Sequence, residues 1–185
     1  RPTAGRVLFE GRDLTRMSEH QIVRAGVGRK FQTPSVYEDL TVFENLEISL
    51  PRMHGLFQSL MFRRSSAIVE RIQAMAEQIF LTERLGHRAG QLSHGQKQWL
   101  EIGMLLMQEP TLLLLDEPVA GMSPREREQT GDLLSRIAKG RSVVVIEHDM
   151  DFVKRIAHRV TVLHQGKLLS EGSAAQVQDD PRVID

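Results

Sequence analysis

Asp116 and Glu117 stand side by side where the apolar run Thr111 to Leu115 ends, a run too short for a typical helix and read as a buried parallel strand. Open α/β sheets place ligand sites at the carboxyl ends of their strands. Two adjacent carboxylates there can divide the work of a nucleotide-hydrolysing centre: Asp116 would hold a magnesium shell and Glu117 would polarise the attacking water. Taken alone, an Asp-Glu pair is more ordinarily a strand end that reaches solvent.

A second stretch, Leu92-Ser93-His94-Gly95-Gln96, opens a helical pattern through Trp99, Ile102, Leu105 and Leu106. Ser93 and Gln96 have capping-box spacing, so the helix start offers unpaired N–H groups and a hydroxyl to an anion. Gly95 lets a phosphate come close to the backbone. By itself the stretch reads more simply as a capped helix. His148 follows a further buried-strand run, Ser142 to Ile146, and can reach over the sheet edge into the same cleft as Glu117. A neutral imidazole there can hydrogen-bond a terminal phosphate and sense its loss. His20, His54, His87, His158 and His164 lack such a placement and read as surface or packing residues.

The elements that must position these groups follow from the pattern. Val7 to Phe9 reads as a short strand, Gly11 to Asp13 as a turn, and Val27 to Gln32 as a second strand that must turn before Pro34. Ser18 with Gln21, Thr41 with Glu44, and Ser123-Pro124 with Glu126 announce helix starts. Ile68, Ile72, Met75, Ile79 and Phe80 form one apolar stripe at helical spacing. Val160 to Leu163 reads as another buried strand. Strands alternating with helices imply an α/β, doubly wound parallel sheet, interrupted by an all-helical insertion. The expected division is a core of residues 1–40 and 109–185 and an embedded helical subdomain of residues 41–108.

The 185 residues carry 24 Lys plus Arg against 24 Asp plus Glu, so no global field gathers nucleic acid or anionic lipid. There is no cysteine for a disulfide or thiolate metal site. No stretch approaches the roughly 20 apolar residues that cross a bilayer. A membrane would be served from the side.

Together these pieces resemble the ABC ATPase family over essentially the whole chain. Gln32 matches the Q-loop, Leu92 to Gln96 the signature, Leu112 to Glu117 the Walker B strand, Ala120 to Ser123 the D-loop and His148 the switch. The resemblance implies a P-loop NTPase-like core that binds ATP and Mg2+. It implies two such subunits sandwiching two ATP molecules head to tail, Ser93, Gly95 and Gln96 of one facing the γ-phosphate held by the other. Gln32 would contact both magnesium and water, and the turn after it would meet a transmembrane permease. Residues 28–37 and 42–47, with the tail from Ile146, resemble the branched-chain amino acid and urea or amide uptake group, the urea type above all. That implies a subunit on the cytoplasmic face of the membrane, supplied indirectly by a periplasmic solute-binding protein.

Three features depart from the family. His94 replaces a commoner glycine, Ala120-Gly121-Met122-Ser123 replaces a commoner Ser-Ala-Leu-Asp, and no Gly-x-x-x-x-Gly-Lys-Ser/Thr phosphate loop (Walker A) occurs. The family places that loop before the strand at Val7, so the expectation is a natural chain extending upstream by several tens of residues. Charge-assisted hydrogen bonds contribute about 1.5–3 kcal/mol each, so the 185 residues alone are expected to bind nucleotide weakly and to be inactive. Other classes the sequence leaves open are a soluble ABC ATPase without a transport role and a nucleotide-independent scaffold.

Overall fold

The computed structural model describes residues 4–30, 35–51 and 65–184. Gln32 and the turn at Phe31 to Pro34 lie outside the described residues, as do residues 52–64 of the expected helical stretch.

Among the described residues the central sheet has three parallel strands in the order β3 (Val27–Lys30), β4 (Leu112–Asp116) and β5 (Ser142–Ile146). Val27 pairs with Leu112, and Leu112 in turn with Ser142, so the carboxyl ends of the strands lie together. On β4 the period-two alternation buries Leu113 and Leu115 almost completely. β5 departs from the expected buried strand: Val144 and Ile146, which share one face, are exposed, while Val143 and Val145 on the other face pack against the core.

Local signals set the helices. Ser18, Thr41, Ser93 and Ser123 each make both bonds of a capping box, opening α1 (Glu19–Arg24), α2 (Val42–Ile48), α4 (His94–Met107) and α5 (Pro124–Ile137). The apolar stripe lies on α3 (Ser66–Gln78) and the turn after it, with Ile72 and Ile79 fully buried and Ile68, Met75 and Phe80 packed against the same core. Gly103 allows α4 to approach closely, since a Cβ there would meet Ile79 Cδ1 at 2.6 Å. Trp99 donates its Nε1–H to Thr130 Oγ1 at 2.9 Å, tying α4 to α5, and packs edge-on to Phe80. One apolar core therefore runs from Leu46 and Ile72 through Leu100 and Ile102 to Leu113, Leu133 and Phe152.

Two further expectations are corrected. Val160 to Leu163 is no buried parallel strand: β6 (Val160–His164) pairs antiparallel with β7 (Lys167–Gly172), leaving Leu163 and Leu168 exposed. The hairpin arises because Gln165 and Gly166 both take positive φ, the geometry of a two-residue turn between twisted strands. The same device acts at the other end. Glu10 and Gly11 form the turn, while Arg12–Asp13 (β2), expected within it, pair back onto Leu8–Phe9 (β1). Helices α6 (Met150–Ile156), α7 (Ala174–Gln178) and α8 (Pro181–Ile184) complete the chain. Among the described residues no helix is long and apolar enough to cross a membrane.

Candidate functional site

Asp116 closes β4, and Glu117 leaves the strand with φ of 44°, a conformation L residues adopt at a cost. Its N–H donates to the Ile146 carbonyl at 2.9 Å, locking the turn to the end of β5. There His148 Nδ1 comes within 3.5 Å of Glu117 Oε1. The imidazole is 79% exposed, so solvent reaches it beside Glu117. Glu147, which sequence reasoning passed over, is the buried neighbour. Its carboxylate accepts the N–H of Val119 at 3.3 Å and of His148 at 3.2 Å, holding the two strand-end turns together. Its place in the Glu147-His148-Asp149 run was the available signal. Asp149 caps α6 by accepting from Phe152 N–H, and it pairs with Arg127; these bonds hold its carboxyl below the usual range.

Beneath this edge lies a buried ion pair, also unread in the sequence. Lys30 Nζ, at the end of β3, sits 3.7 Å from Glu101 Oε2 on α4 and donates to the Asp116 carbonyl at 3.5 Å. Glu101 Oε1 accepts the Ser35 N–H at 3.2 Å. Burial pushes the Lys30 ammonium down from its ordinary value, against the pull of Glu101 and Asp116. Burial likewise pushes the Glu101 carboxyl up, against Lys30 and the Ser35 N–H.

The second cluster is the start of α4. Ser93 Oγ accepts Gln96 N–H at 3.2 Å, and Gln96 Oε1 accepts Ser93 N–H at 3.0 Å, so the Gln96 side chain is engaged in the cap. Ser93 Oγ donates to Glu126 Oε1 at 3.4 Å, and a Cβ at Gly95 would lie 2.6 Å from that same oxygen. The His94 ring turns to Gly121, whose added Cβ would meet Cδ2 at 3.1 Å, and its Nε2 is 3.2 Å from Gln98 Nε2. Thus Asp116, Glu117 and His148 gather at one place, and Ser93, Gly95 and Gln96 at another. The segment from Glu117 to Glu126 runs between them.

No group of three or more His, Cys, Asp or Glu side chains among the described residues could cage a metal ion. Asp116 with Glu117 beside it fits a different kind of site, in which magnesium keeps waters and takes one or two carboxylates together with phosphate oxygens.

Comparison with known proteins decides the family. The family model for ABC transporters matches residues 1–120. This chain belongs to the ABC transporter family. It is 38% identical over 195 residues to the high-affinity branched-chain amino acid transport ATP-binding protein BraF of Pseudomonas aeruginosa, covering 99% of this chain and 75% of that protein. It is 34% identical over 193 residues to LivG of Escherichia coli, which bears the same description, covering all of this chain and 76% of LivG. Among solved structures, the ADP conformation of MJ1267, an ATP-binding cassette of an ABC transporter, matches with a TM-score of 0.80 at 31% identity, over 98% of this chain and 76% of that one. The fold is therefore that of an ABC ATPase, and the parallel β3–β4–β5 sheet is its P-loop NTPase-like core.

Proposed function

We propose that this chain is the ATP-binding and ATP-hydrolysing subunit of an ABC importer, and that the transported solute is a branched-chain amino acid or a small amide such as urea. The observation that carries the reading is the 3.5 Å approach of His148 Nδ1 to Glu117 Oε1 at the ends of adjacent parallel strands, beside Asp116. The descriptions of BraF and LivG support the branched-chain solute. The urea or amide reading rests on residues 28–37 and 42–47 and on the tail.

In this reading Glu117 takes a proton from the attacking water, and His148 hydrogen-bonds the γ-phosphate. Asp116 and Gln32 would hold magnesium, which when bound neutralises charge developing on the phosphates. Ser93 and Gly95 of a second copy, or of a related subunit, close on the same γ-phosphate. The core of residues 1–40 and 109–185 carries hydrolysis and the helical subdomain of residues 41–108 carries the signature. Transmembrane permease subunits receive the motion, a periplasmic solute-binding protein delivers the solute, and the ATPase stays peripheral on the cytoplasmic face.

No phosphate-loop motif lies within the 185 residues, so this chain alone is proposed to be monomeric and to release no phosphate from ATP. The tests therefore use a loop-bearing protein: this chain placed behind the phosphate-loop segment of a relative. With Glu117→Gln, that protein should sediment as a dimer only when magnesium-ATP is present, and Ser93→Arg should return it to monomer. A nucleotide-independent dimer indifferent to Ser93→Arg would contradict the signature assignment.

A further inference from the structure

Glu126 occupies the place where the signature serine and glycine are to meet phosphate. A hydroxyl has one proton to give. Ser93 Oγ accepts from Gln96 N–H at 3.2 Å, and its own proton goes to Glu126 Oε1 at 3.4 Å. The open side of Gly95, which a glycine leaves free for close approach, is filled by the same oxygen, 2.6 Å from where a Cβ would stand.

The carboxylate does not need that position to cap its helix. Its other oxygen, Oε2, accepts the Ser123 N–H at 2.9 Å and the Ser123 hydroxyl at 2.8 Å, completing the capping box of α5. Those Ser123 bonds, with smaller help from Ser93 and His94, hold the Glu126 carboxyl below its usual range, so it is an anion at neutral pH.

We propose that Glu126 is a resident anion at the signature motif, which keeps the Ser93 hydroxyl oriented and competes with the γ-phosphate of the opposing subunit for it. This rests on the reading of Ser93 and Gly95 as phosphate contacts. Glu126 is then a positioning residue acting through Ser93. It sets a threshold for subunit closure: the arriving phosphate must take the Ser93 proton and displace, or lie against, a like charge. For unit charges about 5 Å apart under near-aqueous screening, that repulsion corresponds to a factor of about 4–15 in the closure equilibrium.

Glu126→Gln separates the two roles, because glutamine at the third helical position also completes a capping box while carrying no charge. In the loop-bearing protein with Glu117→Gln, the magnesium-ATP concentration giving half-maximal dimer is read by sedimentation. Glu126→Gln should lower that midpoint about 4–15-fold. The melting temperature should stay within about 2 °C, as for a preserved cap, and binding of a fluorescent ATP analogue to dilute monomer should not change. A midpoint unchanged or raised by Glu126→Gln, with Ser93→Arg still abolishing the dimer, would mean that Glu126 is only a cap and would overturn the proposal. If Ser93→Arg leaves the dimer intact, the signature reading itself has failed and the proposal falls with it.

Discussion

Lys30 Nζ lies 3.7 Å from Glu101 Oε2 in the interior, joining the end of β3 to α4, and Glu101 also accepts the N–H of Ser35. Lys30 and Ser35 flank the segment that contains Gln32 in sequence, and α4 is the helix that Ser93 opens. A buried pair of this kind adds little net stability but is costly to break, since removing one partner strands the other charge.

Lys30→Met or Glu101→Gln alone should therefore cost about 3–5 kcal/mol, and Lys30→Met with Glu101→Leu considerably less than the two separate costs added. Urea unfolding of the loop-bearing protein measures this. The pH dependence has a definite sign. The Glu101 carboxyl is raised above its unfolded value, and Lys30→Met should raise it further by removing its opposing charge. That variant should be most stable below the ordinary carboxylate pKa and lose stability as pH rises through the folded value. Additive single costs with no such loss would show that the pair is not coupled.

His148→Ala should impair hydrolysis more than binding, because the exposed imidazole has Glu117 for its neighbour and its proposed partner is the γ-phosphate. ADP affinity should barely move. Equal losses of ATP and ADP affinity would assign the histidine to the fold instead.

Gly121 has φ of 70°, with the His94 ring over it. Gly121→Ala should cost about 1–2 kcal/mol for the left-handed backbone alone, plus the displacement of His94. His94→Gly in the same chain should recover only the steric part, a coupling of about 0.5–1 kcal/mol in a double-mutant cycle. Strict additivity would show that the ring yields freely.

What was legible in the sequence was local. Each capping box needs only a hydroxyl and a Glu or Gln three residues on, and the four read at Ser18, Thr41, Ser93 and Ser123 all form. The strand ends carrying Asp116 and His148 were legible because short apolar runs end there in charge. Strand partnership was not: Val160 to Leu163 looks like the β4 run, and only the Gln165-Gly166 turn reveals the hairpin. Contacts between distant segments were equally hidden. Lys30 and Glu101 each sit in patterns that would normally face solvent, and Glu126 reads as a cap whose second oxygen has no visible destination. The hydroxyl of Ser93 supplies one only when α4 and α5 are packed together.

The central claim is that Glu117 activates water for ATP hydrolysis. Its most direct test is steady-state phosphate release by the loop-bearing protein assembled with its permease partners, measured beside ATP binding. Glu117→Gln should slow turnover by about 10²–10⁴-fold, the usual contribution of a general base, while ATP affinity is retained. Loss of ATP affinity with turnover per bound ATP unchanged would contradict the account and make Glu117 a structural residue of the β4 turn.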